Sequence, residues 1–120
     1  MKKKYLKKDL KLFLKVIKAS RYQDVDMETL KSLDVKSFIN VPDMNRRTPI
    51  HFALKNLDVL KFLIENGADV NAANIWYLTP LMVAKKILKK TQQKFSSEKI
   101  IQKQNDIINL LIQHGAKEQL

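Results

Sequence analysis

The feature that most constrains the fold of this chain is a short pattern that occurs twice. Its first copy is TPIHFA at residues 48–53, and its second is TPLMVA at residues 79–84, 31 residues later. Each copy is followed by an apolar run that ends at a glycine, Gly67 in the first case and Gly115 in the second. A helix–turn–helix unit that returns with a period near 33 residues indicates a protein built from stacked repeats.

The residues of the first unit carry start and stop signals for helices. Thr48 can cap a helix N-terminus, and Pro49 at the first helical position gives up no hydrogen bond that a helix would make there. Gly67 follows the apolar run, where a left-handed residue ends a helix at the least cost. We therefore predict two short helices back to back between residues 48 and 67, followed by an extended exit through residues 68–71.

Residues 48–71, TPIHFALKNLDVLKFLIENGADVN, resemble the ankyrin repeat family, whose pattern is T-P-L-H-x-A, an apolar run and G-A-D-V-N. The second copy matches the start of that pattern and its Gly-Ala at residues 115–116. The resemblance implies an all-α ankyrin-repeat solenoid of about three helix–turn–helix units with short β-hairpin-like finger loops. A single domain, residues 1–120, would hold a degenerate N-terminal capping repeat at 5–40, a first full repeat at 41–71 and a second repeat at 72–117.

The first 40 residues fit such a capping repeat. An apolar stripe opposite a lysine-rich face favours a core-facing helix over a membrane-surface helix across about residues 5–19; its members are Leu6, Leu10, Phe13, Leu14 and Ile17. An aspartate of the Asp24-Val25-Asp26 segment can cap a second short helix. Residues 37–40 resemble the extended exit expected at 68–71.

The two full repeats depart from the family's pattern in opposite directions. The first lacks the family's Gly-His pair between Asn56 and Leu57, so its helix–helix turn is two residues short. The second holds an insertion of about 15 residues, roughly residues 85–104, without glycine or proline. Because this segment consists of strong helix formers with a start signal at Ser96-Ser97-Glu98, we predict a lengthened helical hairpin that projects beyond its neighbours.

The second helix of this hairpin is expected to carry one continuous stripe, and the hairpin tip holds an aromatic residue. The stripe consists of Ile100, Ile101, Gln104, Ile107, Ile108, Leu111 and Ile112. Phe95, near the tip, is either a contact residue for a partner or a plug that closes the hairpin.

The resemblance places finger loops at residues 41–47 and 72–78. Asp43 and Asn74 fit the position where the family starts its finger turn, whereas Arg46 and Tyr77 occupy the glycine position. A residue with a side chain is strained at positive φ. These turns therefore either adopt another geometry, or their neighbours offset some of the strain.

The composition offers little for catalysis. With no cysteine and two histidines, the chain has no thiol nucleophile, disulfide or zinc-ligand set. The resemblance gives His51 a structural role, in a hydrogen bond to a neighbouring turn, and His114 precedes Gly115 at a helix C-terminus. Two glycines cannot build a phosphate loop, and Asp24 with Asp26 lacks the rest of a calcium loop. We expect no enzyme activity, cofactor, metal or small-molecule substrate.

In the ankyrin family, partners bind the finger tips and the exposed positions of the inner helices, which form a concave face. The matching positions on the inner helices are Lys55, Asn56, Lys86 and Ile87, and those on the fingers are Met44, Asn45, Arg47, Ile75, Trp76 and Leu78. Arg46 and Tyr77 are added because they lie next to these finger positions. Trp76 stands where the family has a polar residue. It is either an aromatic anchor for a partner or packs on the 85–104 hairpin against Phe95.

The net charge of +11 favours an acidic protein partner, with an adaptor, inhibitor or effector as the role. The alternative is binding of nucleic acid or an anionic surface, although only three of the 23 basic residues are arginines, the usual readers of phosphates and bases. An even scatter of lysines over the surface would favour the protein partner. A continuous stripe would favour the anionic surface.

The sequence also carries expectations about location and assembly. No apolar run is long enough to span a membrane, and the basic N-terminus is interrupted by charges, unlike a signal peptide. We expect a cytoplasmic protein, or one delivered to a host cytosol if it is an effector. The outer face of the last repeat has little to cover it, so we expect a monomer or weak self-association through the C-terminal repeat.

Overall fold

The computed structural model describes the backbone of residues 2–94 and 97–118, with side chains from residue 8 onward. All regular structure in this part of the chain is helical, which confirms the all-α prediction. The helices are α1 (Lys2–Ala19), α2 (Met27–Lys31), α3 (Leu57–Glu65), α4 (Pro80–Lys94) and α5 (Glu98–Gln113), with 3-10 turns at Lys36–Phe38 and Pro49–Phe52. No described helix is both long enough and apolar enough to cross a membrane.

One apolar core continues from unit to unit. Phe13 of α1 is fully buried, and its ring centroid lies 5.2 Å from that of Phe38. The outer helices of the two full repeats contribute fully buried side chains, among them Leu60 and Leu63 of α3 and Ile107 and Leu111 of α5. Each unit thus buries its apolar face against the next, as stacked repeats require.

In the N-terminal unit, the aspartate cap is confirmed and the extended exit is wrong. Asp26 accepts hydrogen bonds from the Glu28 N–H at 3.1 Å and the Thr29 hydroxyl at 2.8 Å, and the Thr29 bond lowers the pKa of Asp26. Residues 36–40 instead form a 3-10 turn followed by a further turn. Phe38 and Ile39 are both buried, which an extended strand would prevent because it points successive side chains to opposite faces. Residues 70–71 form the equivalent turn.

The first of the two short helices predicted between residues 48 and 67 is a 3-10 helix, Pro49–Phe52, with Thr48 at its N-cap. The second is α3, which begins where the Asn56 side chain accepts a hydrogen bond from the Val59 N–H at 3.1 Å. Only residues 53–55 separate the 3-10 turn from this cap, because the helix–helix turn is two residues short. A 3-10 helix rises about 2.0 Å per residue, so it covers more length with fewer residues than an α-helix.

The lengthened hairpin is confirmed. Helix α4 runs ten residues beyond Ala84, the counterpart of Ala53, which corresponds to about 15 Å of additional helix. Helix α5 begins after Ser97, as the sequence predicted, and Gly115 ends it with a φ of +86°. Phe95, with its two predicted roles, and Ser96 lie outside the described residues.

The prediction of one stripe on α5 is only partly right. The positions Gln104, Ile107, Ile108 and Leu111 are buried, and Ile101 is half-buried. Ile100 is exposed because it lies in the projecting part of the hairpin, beyond the level of the first repeat. Ile112 is exposed because it lies about 80° around the helix from Gln104, at the edge of the buried face.

Candidate functional site: two coupled finger loops

The first finger, residues 43–47, is a turn organised by one carboxylate. Asp43 Oδ1 accepts hydrogen bonds from the backbone N–H groups of Asn45 at 2.8 Å and Arg47 at 2.9 Å, and Asp43 Oδ2 pairs with Arg47 Nε at 2.9 Å. The Asp43 N–H donates to the Arg47 carbonyl at 2.9 Å, which closes the loop. Burial would raise the pKa of Asp43, but the hydrogen bonds from Arg47 and Asn45 lower it below its ordinary value.

The second finger, residues 74–78, repeats this geometry with an amide. The buried Asn74 accepts hydrogen bonds through Oδ1 from the N–H groups of Trp76 at 2.9 Å and Leu78 at 3.1 Å, and its own N–H donates to the Leu78 carbonyl at 3.1 Å. The Ile75 N–H donates to the Asn45 carbonyl at 3.0 Å. The two fingers are therefore coupled through their backbones.

Both fingers retain positive φ at the family's glycine position. The φ angle is +58° at Arg46 and +61° at Tyr77. Of the two alternatives left open by the sequence, the structure supports neighbours that offset strain, because the Asp43 and Asn74 side chains bind the backbone on either side of the strained residue. A left-handed residue with a side chain still carries strain of about 1–2 kcal/mol.

His51 ties the second finger to the first repeat, as the resemblance predicted. The Thr48 N–H donates to His51 Nδ1 at 3.0 Å, so that nitrogen is an acceptor and Nε2 carries the proton, 3.3 Å from the Leu78 carbonyl. Burial lowers the pKa of His51 below its ordinary value. The neutral ring is therefore a structural bridge between neighbouring units.

The fingers present four large apolar side chains to solvent. Met44 is 99% exposed on the first finger, and Ile75, Trp76 and Tyr77 are 41%, 56% and 82% exposed on the second. Trp76 has more than half of its surface free, while its alternative partner, Phe95, lies outside the described residues. The remaining finger candidates differ in exposure: Arg46 is exposed, whereas Asn45, Arg47 and Leu78 are half-buried.

The inner-helix candidates are more divided. Lys86 is exposed on α4, and Ile87 is half-buried against the core. Lys55 is exposed but lies in the turn before α3 rather than on a helix. Asn56 is buried and caps α3, so its placement on an exposed inner helix is wrong; the short turn moves this position into the cap. An asparagine followed by Asp58 in the first turn is a cap signal that the sequence carried.

Residues 38–84 match the family model described as ankyrin repeats (many copies). Among curated proteins, the chain is 49% identical over 47 residues to a fowlpox virus protein named as an ankyrin repeat protein, covering 36% of the chain and 9% of that protein. It is 42% identical over 60 residues to an ankyrin repeat-containing protein of Schizosaccharomyces pombe, covering 48% and 29%.

A third relative is the serine/threonine-protein kinase VIK of Arabidopsis thaliana, 45% identical over 47 residues that cover 38% of the chain and 11% of the kinase. The chain spans less than a third of the length of each of these relatives. What they share with it is the repeat segment. With the helical fold and the two fingers, these matches identify residues 38–84 as an ankyrin repeat segment and support a solenoid of few repeats.

Proposed function

We propose that this chain is a non-catalytic adaptor, inhibitor or effector that binds an acidic protein partner through its two fingers and the concave face beside them. Ankyrin repeats are generally protein–protein interaction modules, and the family is typically non-catalytic. The observation that carries the proposal is the clustering of exposed apolar groups. Eight large apolar side chains are exposed among the described residues, and four of them lie on the fingers.

The fingers are suited to binding because they are ordered before a partner arrives. The side chains of Asp43 and Asn74 fix each turn by accepting backbone hydrogen bonds, and the bond from the Ile75 N–H to the Asn45 carbonyl fixes one turn against the other. A pre-organised loop loses less conformational entropy on binding than a mobile one. Exposed aromatic residues on such a loop are the usual anchors of protein interfaces, which favours Trp76 as the central contact.

Charge supports an acidic partner. The net charge is +11, and Arg46 adds an exposed cation to the first finger, as Lys86 does to α4. Complementary charge speeds encounter and weakens as salt screens it. An acidic protein would meet cations around an apolar anchor, the arrangement that combines fast association with slow dissociation.

The proposal is tested by a pull-down from lysate with the wild-type protein beside Trp76→Ala, at low and at raised salt. Ile112→Ala is the matched control, since Ile112 has similar exposure but lies on the outer helix α5. We expect a discrete protein band that survives salt, persists with Ile112→Ala and disappears with Trp76→Ala. A band indifferent to Trp76 would contradict the role of the second finger.

Binding of nucleic acid or an anionic surface is the second candidate, favoured by where the lysines lie. Eight of the twenty lysines belong to α1 and seven to the α4–α5 hairpin. This concentration in two parts of the chain differs from the even scatter that would favour the protein partner. Retention of mainly nucleic acid in the same pull-down, lost at raised salt and unchanged by Trp76→Ala, would favour this candidate over the first.

A further inference from the structure

A polar cavity of about 340 Å³ opens beside the short turn of the first full repeat. Its lining comes from residues 20–24, which follow α1, from Lys55 and Asn56 of the short turn, and from Lys103 of α5. We call this cavity the notch.

The notch exists because this chain combines a short repeat with a long one. The first repeat turns back after Ala53, while its neighbour α4 continues to Lys94. The Gln104 side chain donates to the Leu54 carbonyl at 3.0 Å and the Ala84 carbonyl at 3.2 Å, which seats α5 beside the short turn. The short turn before α3 therefore lies between the C-terminal end of α1 and the α4–α5 hairpin.

The notch carries an excess of positive charge. Arg21, Lys55 and Lys103 line it, against one carboxylate, Asp24. Within residues 8–94 and 97–118, the ion pairs are Arg47 with Asp43 and Lys85 with Glu118, so the three notch cations have no carboxylate partner there. Three cations against one carboxylate leave the notch with a net positive charge, which a bound anion would balance.

Arg21 is held in position for such an anion. Its Nε donates to the Lys18 carbonyl at 3.2 Å, and its guanidinium carbon lies 5.1 Å from the ring centroid of Phe52 and 5.0 Å from that of Tyr22. Stacking on aromatic rings restrains the guanidinium plane. The terminal N–H groups of a restrained guanidinium can bind a carboxylate in bidentate geometry.

We propose that the notch binds the side-chain carboxylates of an acidic, Asp/Glu-rich segment of a partner protein. Its volume, at the lower end of the range for ligand pockets, suits one or two acidic side chains rather than a large ligand. Lys18 adds positive charge beside the notch, because its ammonium nitrogen lies 5.8 Å from the centroid of the Phe52 ring on which Arg21 stacks. The notch would be a second contact surface beside the fingers. Its proposed role rests on the proposed function only in the assumption that the partner is a protein.

The test is a fluorescence-anisotropy titration of the full chain with a labelled hexaglutamate peptide at low salt. We expect Arg21→Gln and Lys103→Gln each to weaken binding about fivefold, the upper end for one partly exposed ion pair. Lys36→Gln is the matched control: it removes the same charge from an exposed position ahead of the first finger and should change the affinity less than about twofold. Arg21→Lys keeps the charge but loses the bidentate geometry, so its affinity should fall between wild type and Arg21→Gln.

Circular dichroism of each variant checks that it is folded, and Trp76→Ala should bind the peptide like wild type. Equal weakening by Lys36→Gln and Lys103→Gln would overturn the proposal in favour of diffuse charge. If oligothymidylate binds more tightly than hexaglutamate and its binding depends on Arg21, the notch binds nucleic acid and the proposal of an acidic protein segment is contradicted. If the pull-down captures no partner that depends on Trp76 while the peptide titration gives the expected affinities, only the role of the fingers is contradicted. If the pull-down succeeds and the titration does not show the expected affinities, only the role of the notch is contradicted.

Discussion

Asn40 and Asn71 make the same pair of hydrogen bonds, each to the glycine turn that ends the second helix of the following unit. Asn40 donates to the Gly67 carbonyl at 3.1 Å and accepts from the Asp69 N–H at 2.7 Å. Asn71 donates to the Gly115 carbonyl at 3.1 Å and accepts from the Lys117 N–H at 2.7 Å. The insertion in the second repeat thus lengthens its helices without changing how the unit docks on its neighbour.

Removing this contact should destabilise the protein to a similar degree in both repeats. Asn71→Ala leaves two backbone groups to water, and we expect a loss of about 1 kcal/mol in the free energy of unfolding, with a similar loss for Asn40→Ala. Urea denaturation measures both. Asn109→Ala, at an exposed position of α5, should change stability by less than about 0.5 kcal/mol. A loss confined to one of the two asparagines would contradict the equivalence.

Glycine at the strained finger position should stabilise the protein. Tyr77 has a φ of +61° and is 82% exposed, so Tyr77→Gly relieves backbone strain while removing few contacts. We expect a gain of about 0.5–1 kcal/mol after the greater flexibility of glycine in the unfolded chain is subtracted. Thermal unfolding of Tyr77→Gly and Tyr77→Ala separates the causes, because alanine removes the ring but retains the strain. A gain with alanine as large as that with glycine would point to the ring instead.

The buried Gln104 should be more costly to replace than an exposed glutamine of the same helix. Gln104→Met retains the shape but leaves the Leu54 and Ala84 carbonyls without their donor, so we expect a loss of about 1–3 kcal/mol. Gln102→Met, at an exposed position, should cost less than about 0.5 kcal/mol. Equal denaturation midpoints for the two variants would show that Gln104 does not secure α5 on the short turn.

His51 should make stability depend on pH. Burial lowers the pKa of His51 in the folded state, so the unfolded chain binds the proton more readily. Stability should be full above the unfolded pKa of about 6.5 and fall as the pH drops below it. Urea midpoints at pH 7.5 and 5.5 measure the loss, in a range where Asp26 and Asp43 stay ionised. In His51→Gln the urea midpoint should change less between pH 7.5 and 5.5. If it changes as much as in the wild type, other titrating groups cause the pH dependence.

The pattern of the repeats predicted the fold where each residue follows a local rule. Asp26 and Ser97 begin helices, Gly67 and Gly115 end them, and the hairpin follows from an insertion made of helix formers. The 3-10 form of the first helix of the full repeat could not be predicted in this way. Local signals predicted a short helix, and the length of chain available before Asn56 allowed only a 3-10 helix.

The candidate site was predictable as a set of positions but not as a surface. The exposure of Trp76 and Tyr77 follows from their place in a finger, whereas the burial of Asn56 depends on a missing pair of residues. The notch could not be predicted from the sequence, because Arg21 and Lys103 are 82 positions apart and line the same cavity only in the folded protein. The signal that could have found it is the adjacency of a short turn and an insertion in stacked repeats.

The most direct test of binding through the fingers is hydrogen exchange on the complex with the captured partner. Peptides covering residues 44–47 and 75–78 should gain protection on binding, and Trp76→Ala should abolish that gain. Protection confined to the outer helices α3 and α5, with exchange at both fingers unchanged, would contradict the proposal that this protein binds its partner through the fingers.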